Sequence, residues 1–320
     1  MRSEERTELR GTILDNRYRV DACIGVGGTG VVFEATRLAD ETKVVLKTLR
    51  PKYVDHIDLI RRLRREAEVA ERVAHPGIVP VYEVGRLSDG TPYVVMKRMY
   101  SESLARLLGR VERLSCEEVA VIAARVAAIL HSVHAAGYVH RDIKPEHILL
   151  DRAPQGKLEV RLLDFGVCAS NDAPLDEKNR ERGRVFGTPA YVSPEQAAGE
   201  PHVDGRADLF GLGITLFEAR TGVLPFPEHR ATDLLRAILT RDAPPLSAYD
   251  RSVDPRLELL VSQLLERRTD QRLPSARALS RALAPMLRER AAIEAQLVAR
   301  LDLVGVGEEG EDTLRRAALA

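Results

Sequence analysis

The spacing of apolar residues changes twice along the chain, near residue 100 and near residue 289, and this division constrains the fold most strongly. From residue 18 to residue 95, short apolar runs such as 31–33 and 44–46 are typical of strands. One charged segment, 58–73, interrupts them and carries its apolar residues at helical spacing on one face. After Ser101 the pattern becomes helical. The sequence therefore predicts an α+β fold with two lobes, a small antiparallel sheet with one helix followed by a larger, mainly helical lobe.

Apolar periodicity and capping residues together predict several helices after residue 101. Ser115 fits the N-cap of the longest one, and Gly137 fits its C-terminal end. The predicted spans are 103–108, 116–136, 207–221, 232–240, 256–267 and 276–288. From Glu289 the charged tail is predicted to form one more amphipathic helix to about residue 303, and its Gly/Glu-rich end is predicted to be disordered. The predicted division is an extension at 1–16, a small lobe at 17–99, a large lobe at 100–286 and the tail at 287–320.

Composition excludes several classes of function. The 48 basic and 48 acidic residues balance, which argues against a nucleic-acid partner and against strong membrane attraction. Cys23, Cys116 and Cys168 lack metal-ligand spacing and favour a reducing compartment. The charged N-terminus lacks the apolar core of a signal peptide, and the longest apolar segment, 119–130, is too short to span a bilayer. The sequence predicts a soluble, cytoplasmic protein with no membrane span.

Two short motifs carry the strongest chemical signal. The stretch 140–147 reads HRDIKPEH, and Asp164-Phe165-Gly166 follows it. Asp142 can take a proton, Lys144 can neutralise phosphate, and Asp164 can hold a divalent cation, which are the parts that phosphoryl transfer requires. Each motif adjoins an apolar run, 148–150 or 160–163, so a chance match in a solvated loop is disfavoured.

A glycine-rich segment lies near the start of the strand-like region. Residues 24–32 read IGVGGTGVV, and glycines at 25, 27 and 30 let the backbone approach phosphate oxygens because no Cβ intervenes. This pattern alone is weak, and a dinucleotide-binding fold is its rival. That rival needs a helix directly after the glycines, whereas 31–33 continues as a strand, and no acidic ribose ligand is placed after a second parallel strand. A hairpin is therefore favoured.

Taken in order, these motifs resemble those of eukaryotic-type (Hanks-type) protein kinases, most of all the bacterial serine/threonine kinases. The resemblance covers about residues 17–285. Beyond the motifs above, it includes the strand lysine Lys47 and its helix partner Glu66. It also includes HPGIV at 75–79, the segment GTPAYVSPE at 187–195, Asp208 as the helix carboxylate that braces the catalytic loop, and Arg272 as the partner of Glu195. The resemblance implies the bilobal kinase fold.

The resemblance also implies a role for each matching residue. Lys47 would hold the α and β phosphates of ATP, and Glu66 would orient it. Asp142 would align the substrate hydroxyl and accept its proton, and Lys144 would offset charge on the transferred phosphoryl group. Thr188 would hydrogen-bond Asp142 and Lys144. Asp164 would bind the metal between the β and γ phosphates. The implied ATP-binding positions are Ile24, Gly25, Val26, Gly27, Gly28, Thr29, Gly30, Val31, Val32, Val45, Lys47, Met96, Lys97, Met99 and Leu149.

Within that set the resemblance assigns different tasks. Ile24, Val32, Val45 and Leu149 would sandwich the adenine, and backbone groups at 97–99 would read its edge. Met96 would gate the rear of the pocket, although plain core packing fills the same space. Val45 stands where the family usually has Ala, which narrows or tightens the nucleotide pocket.

His147 is the main departure, because the family has Asn there as a ligand of a second metal ion. Imidazole suits transition metals better than Mg²⁺. A one-metal reaction through Asp164, a preference for Mn²⁺, and reduced activity all agree with this change. The favoured hypothesis is a serine/threonine protein kinase that uses ATP and Mg²⁺ (or Mn²⁺) on protein hydroxyls and could form a homodimer. The alternative is a nucleotide-binding pseudokinase acting as a scaffold or allosteric partner. A small-molecule kinase ranks third, because it would not need the segment 187–195.

The activation segment lacks an obvious phosphorylation site. Between Asp164 and Gly187 the only hydroxyl side chain is Ser170, close to the metal-binding turn, and the middle of the segment is charged. We predict that Glu177 or Glu181 substitutes for a phosphate against Arg141, which resembles the arginine of the family's phosphate pocket. A solvated charge run is the alternative.

Overall fold

An antiparallel sheet with one helix forms the first part of the protein. The structure is a computed structural model that describes residues 9–153, 156–170, 183, 186–302 and 304–305, the last pair by backbone only. The six strands pair in the order β1-β2-β3-β4-β6-β5. Their bounds are β1 Ile13–Leu14, β2 Tyr18–Val26, β3 Gly30–Arg37, β4 Thr42–Leu49, β5 Val81–Arg86 and β6 Pro92–Lys97. Helix α1, Ile57–Arg72, lies between β4 and β5 in the chain.

Period-two alternation gives this sheet two different apolar faces. Val44 and Leu46 of β4 pack into one cluster with Phe33 and Tyr93. Val45, between them, joins a second cluster that also holds residues of α1 and of β6. Residues 45 and 47 of β4 therefore share the face that is turned toward α1, which is where the predicted site lies.

Helices dominate the second part, as the sequence predicted. Helix α1 and the helices after residue 103 match the predicted spans to within a few residues, with two exceptions: the 276–288 helix ends early, and the short helix at 194–197 was not predicted. The helix bounds are α2 Leu104–Val111, α3 Cys116–Ala135, α4 Pro194–Ala197, α5 Arg206–Thr221, α6 Ala231–Thr240, α7 Pro255–Leu264, α8 Ala276–Leu283 and α9 Arg290–Arg300. Among the residues that the structure describes, no helix has both the length and the apolar character to cross a membrane.

Short strands connect the second part to the first. Strand β7, Tyr100–Ser103, follows the six-stranded sheet and pairs with β9, Ile148–Arg152, which pairs in turn with β10, Leu158–Leu162. β8, Tyr138–Val139, pairs with β11, Ala169–Ser170. The catalytic-loop motif lies between β8 and β9, and the Asp164 motif lies between β10 and β11, so this strand framework fixes both.

The helix predicted in the tail is α9, and it packs on the helical part. Leu297 is fully buried there, and Glu294 accepts from Arg125 at 2.8 Å. The chain then returns to β7, where the backbone N–H of Asp302 donates to Glu102 at 2.9 Å. Strand β12, Val304–Gly305, pairs antiparallel with Tyr100 and Ser101. The predicted disorder of the tail's end and the first half of the predicted extension, residues 1–8, lie outside the described residues.

Helix α3 begins as predicted at Ser115, whose hydroxyl accepts from the Glu118 N–H while the Glu118 carboxylate accepts from the Ser115 N–H. We expect Ser115→Ala to lower the free energy of unfolding by about 1 kcal/mol, because a helix-terminal donor loses its acceptor. Urea unfolding measures this difference. Ser132→Ala is the control, since that exposed hydroxyl only reaches Ala128 O at 3.5 Å. Equal effects of the two substitutions would contradict the capping role.

Candidate active site

Three charged side chains from three different segments meet beside the sheet. Lys47 extends from β4, Glu66 extends from α1, and Asp164 follows β10. The Lys47 Nζ donates to Glu66 Oε2 at 2.8 Å and to Asp164 Oδ1 at 3.4 Å. The sequence predicted that all three belong to one site, and the structure brings them together around one ammonium group.

These charges change one another's pKa values. Burial disfavours the charged form of Lys47, but the carboxylates of Asp164 and Glu66 outweigh it and raise the pKa of Lys47. The Lys47 ammonium, in turn, is the main cause that lowers the pKa of Asp164. Glu66 is only 7% exposed, and burial raises its pKa despite the ammonium. At neutral pH the site therefore offers one fixed cation and, at Asp164, one ionised oxygen ligand.

The loop 140–147 holds Asp142 and Lys144 against Thr188. The Thr188 backbone N–H donates to Asp142 Oδ1 at 2.7 Å, and the Lys144 ammonium donates to the Thr188 hydroxyl. Lys144 Nζ lies 3.4 Å from Asp142 Oδ2. Burial would raise the pKa of Asp142, but His147, Lys144 and the Thr188 N–H outweigh burial and lower it. The result is an ionised carboxylate in a fixed position, able to accept a proton from a nearby hydroxyl.

A buried carboxylate on α5 holds the backbone of this loop. Asp208 accepts from the N–H of His140 at 2.9 Å and from the N–H of Arg141 at 2.7 Å. His134 contacts the same carboxylate at 2.8 Å. Arg141 has φ +67°, a left-handed conformation that costs a non-glycine residue energy. The Asp208 hydrogen bonds compensate for this strain, and so orient Asp142, the next residue.

The turn at Asp164 is also left-handed, with φ +60°. Its next residue, Phe165, is buried and packs against the His140 ring with centroids 4.7 Å apart. The His140 Nε2 lies 3.0 Å from the Leu163 carbonyl oxygen. His140 therefore ties the catalytic loop to the residues on both sides of Asp164.

An apolar cluster lies on the same face of the sheet as Lys47. It contains predicted pocket residues from four strands and from the segment after β6, namely Ile24, Val32, Val45, Met96 and Met99. Leu163 belongs to the same cluster, and Leu149 is fully buried. Lys97 is exposed, and its backbone N–H donates to Pro80 O at 2.9 Å.

The glycine-rich segment is a hairpin, which excludes the dinucleotide-binding alternative. β2 and β3 pair antiparallel, and the residues between them, Gly27 to Thr29, form the turn. A Cβ at Gly30 would lie 2.9 Å from the Thr48 carbonyl oxygen, so this glycine is also needed for strand packing. A Cβ at Gly28 would meet nothing within 4 Å, which leaves the tip open.

The segment 187–195 is anchored beneath the loop. Arg272 binds Glu195 through two hydrogen bonds, at 2.8 and 3.1 Å, and both side chains are buried. Gly187 has φ +101°, and a Cβ there would lie 2.6 Å from the Arg141 carbonyl oxygen. Only glycine allows this close approach, which places Thr188 beside Asp142.

Residues 18–283 match the family model described as protein kinase domain. The chain belongs to the protein kinase family. Three relatives illustrate the similarity. Serine/threonine-protein kinase pkn3 of Myxococcus xanthus is 35% identical over 91% of this chain and 53% of that protein. PknA of Mycobacterium tuberculosis is 34% identical over 74% of this chain and 54% of its own length. A probable serine/threonine-protein kinase of Clostridium acetobutylicum is 31% identical over 83% of this chain and 39% of that protein. The matches thus span between 39% and 54% of these relatives.

The unusual His147 of this kinase contacts both aspartates. Its Nδ1 lies 2.8 Å from the Asp142 carbonyl oxygen, which can only accept, so Nδ1 carries a proton and donates. Its Nε2 lies 3.7 Å from Asp164 Oδ2 and can act as a ligand when it is deprotonated. The ring therefore braces the loop and also presents a nitrogen donor to the predicted metal position.

Protein kinases use a divalent metal with ATP, and the donors present fit that requirement. The Asp164 side chain is 44% exposed, so its oxygens are open to a ligand. Among the described residues, no group of three or more His, Cys, Asp or Glu side chains could hold a metal by itself. One carboxylate and one imidazole suit an ion that takes its remaining ligands from phosphate and water.

Sequence reasoning missed three contributors to this kinase site. Leu163 precedes Asp164 directly, and its position was the available signal. Gln196 donates to the carbonyl oxygens of Arg141 and Phe186, at 2.9 and 3.0 Å, and nothing in the local sequence marks it for this role. Phe186 lies near two arginines, as described below. The predicted contact of Glu177 or Glu181 with Arg141 lies outside the described residues.

Proposed function

We propose that this protein is an ATP-dependent serine/threonine kinase that transfers the γ-phosphoryl group of ATP to hydroxyls of protein substrates. The observation that carries this proposal is the convergence of Lys47, Asp142, Lys144 and Asp164, each held by a partner from another element. A pseudokinase usually lacks one of these groups. Nothing in the described residues favours that alternative.

Each residue has a distinct task in the proposed reaction. Lys47, oriented by Glu66, neutralises charge on the phosphates that remain with the nucleotide. Asp142 orients the incoming hydroxyl and accepts its proton, and Lys144 offsets charge on the transferred group. Asp164, with His147, would hold a divalent ion, which would supply further charge neutralisation on the phosphates. We propose Mg²⁺ as this ion, with Mn²⁺ as the alternative that an imidazole donor favours.

The nucleotide would enter between the glycine hairpin and the apolar cluster. Ile24, Val32, Val45 and Leu149 are proposed to contact the adenine, with Met96 at the rear. Backbone groups of residues 97–99 are proposed to read its edge. The glycine turn offers backbone N–H groups to phosphate oxygens.

Protein substrates are favoured by the firm anchoring of the segment 187–195, which leads into α4. The Arg272–Glu195 pair and the close approach at Gly187 fix this segment beside Asp142. The Lys144–Thr188 contact supports hydroxyls of Ser and Thr as acceptors. The balanced charge gives no reason to expect nucleic acid as a partner, and a homodimer and a cytoplasmic location stay predictions.

A transfer assay tests the proposal. Radiolabelled ATP and a generic basic protein are incubated with the full chain, with Mg²⁺ and Mn²⁺ compared and Asp142→Ala as the control. Label transfer that is lost in the control is the expected result. Nucleotide binding without any transfer, under both metals, would overturn the kinase assignment and favour the pseudokinase.

His147 offers a sharper test of the metal. We expect His147→Asn to raise the rate with Mg²⁺ by about threefold or more and to reduce any Mn²⁺ preference, because an amide oxygen suits Mg²⁺ better than imidazole does. Rates at several concentrations of each metal measure this change. His131→Asn, a substitution on the surface of α3, is the control. An unchanged or lower rate under both metals would mean that the Nδ1 contact with Asp142, and not ligation, is the main role of His147.

A further inference from the structure

Phe186 lies between two arginines from different parts of the protein. The Arg62 guanidinium lies over its ring, 5.3 Å from the centroid, and the Arg141 guanidinium lies 5.7 Å from the same centroid. Both distances are within the range in which a cation is attracted to an aromatic ring. Arg62 belongs to α1, and Arg141 belongs to the catalytic loop. One ring therefore links these two elements.

Each arginine is adjacent to a residue of the proposed active site. Arg62 precedes Glu66 by four residues, so both lie on the same face of α1. A Cβ on Gly166 would lie 3.7 Å from the Arg62 carbonyl oxygen, so the same turn of α1 packs on the Asp164 motif. Arg141 precedes Asp142 directly, in the left-handed conformation that Asp208 stabilises. A contact that fixes Arg62 thus also restrains Glu66, and one that fixes Arg141 restrains Asp142.

The backbone beside the ring is held independently of the ring itself. The Gln196 amide donates to the carbonyl oxygens of both Phe186 and Arg141, at 3.0 and 2.9 Å. Gly187, the next residue, packs tightly against the Arg141 carbonyl. These contacts fix the backbone from which the Phe186 ring extends to the two arginines. Such preorganisation makes a weak contact effective.

We propose that Phe186 is a positioning residue whose aromatic ring holds α1 in the arrangement that pairs Glu66 with Lys47. The ring contacts one cation from α1 and one from the catalytic loop. In this role an uncharged side chain performs the task that a phosphate on the activation segment could perform by pairing with arginines. This inference rests on the proposed kinase function for its activity readout, but the contact itself is independent of catalysis.

The activity test compares aromatic and aliphatic residues at one position. We expect Phe186→Leu to lower kcat about tenfold, the scale of two cation–π contacts, with less than about a twofold change in the KM of the protein substrate. Phe186→Tyr keeps the ring and should retain kcat near the wild-type value. Arg62→Gln should lower kcat to a similar extent, and combining it with Phe186→Leu should add little. Arg64→Gln, an exposed substitution on the same helix, is the matched control.

Hydrogen exchange gives a readout that does not require activity. Amides of 57–72 should exchange faster in Phe186→Leu than in the wild-type protein, and should be restored in Phe186→Tyr. If the wild-type protein transfers phosphate and Phe186→Leu has the same kcat and the same exchange rates, this inference is overturned, but the proposed kinase function is not. Wild-type protein that binds ATP without transfer would overturn the proposed function, and the exchange data would still decide the role of Phe186.

Phosphatase treatment tests whether the Phe186 ring or a phosphate on the activation segment performs the positioning. We expect treated wild-type protein to keep its activity, because Phe186 requires no modification. A large loss of activity on treatment, mapped by mass spectrometry to a phosphosite between residues 170 and 188, would show that a phosphate performs the positioning and would overturn the inference.

Discussion

Asp142→Ala should lower the rate of phosphoryl transfer by about three orders of magnitude or more, and Asp142→Asn should do nearly the same. The Asp142 carboxylate is the proposed group that aligns the substrate hydroxyl and accepts its proton, and neither Ala nor a neutral amide can accept that proton. The Thr188 N–H at 2.7 Å and the Lys144 ammonium at 3.4 Å keep this carboxylate ionised and in place. The loss should therefore appear in kcat, with the KM for ATP little changed.

The two substitutions differ in their effect on the fold, and this difference is a control. Asn retains an oxygen for the Thr188 N–H, whereas Ala leaves that partly buried donor without this acceptor, at a cost of about 1 kcal/mol. Asp142→Asn should therefore melt close to the wild-type temperature. Asp151→Asn removes a carboxylate that pairs with Arg161 at 2.8 Å on β9 and β10, outside the site, and should keep its activity. Asp142→Asn protein with near wild-type kcat would sink the assignment of Asp142.

The pairing of Lys47 with Glu66 was implied by the resemblance to protein kinases, and the periodicity of the two elements agrees with it. Alternation on β4 places Val45 and Lys47 on one face. On α1, Leu63, Glu66 and Ala67 are spaced so that they share the inward side. Once a sheet and one helix pack together, these two faces meet. The resemblance to protein kinases added which charged residues matter, and periodicity explains why they come together.

Other parts of the site depend on contacts that no local pattern records. Arg141 adopts a left-handed conformation that its residue type disfavours, because Asp208 stabilises it. Asp164 also adopts this conformation, which aspartate tolerates better, beside the packed ring of Phe165. The pairing of the tail with β7 could not be predicted either, because a strand of two residues is too short to show a sequence pattern. It depends on the docking of α9 and on Glu102, which is fully buried and accepts from Arg110 at 2.7 Å. Such features are decided by tertiary structure, so sequence reasoning could not find them.

Lys47→Met should lower the rate of phosphoryl transfer to about a thousandth of the wild-type rate or less. The proposed phosphate clamp is lost, because Met keeps the volume of the side chain but not its charge. Unlike Asp142→Asn, it should also lower the stability of the protein. Glu66 and Asp164 both lie within 3.4 Å of the Lys47 ammonium. Removing the ammonium leaves the negative charge of the Glu66 and Asp164 carboxylates uncompensated. We expect a cost of about 2 kcal/mol, below that of a wholly buried pair, because the Lys47 side chain is 27% exposed.

The pH dependence of that loss identifies its cause. Burial already raises the pKa of Glu66 in the folded protein, and removing the Lys47 ammonium must raise it further. A folded state that binds more protons than the unfolded state loses stability as pH rises. The deficit of Lys47→Met should therefore be largest at neutral pH and shrink as pH falls toward the usual range of a glutamate. Adding Glu66→Gln should recover much of the stability but none of the activity. Lys43→Met, on the same strand but outside the site, is the control, and a Lys47→Met protein with near wild-type turnover would refute the clamp.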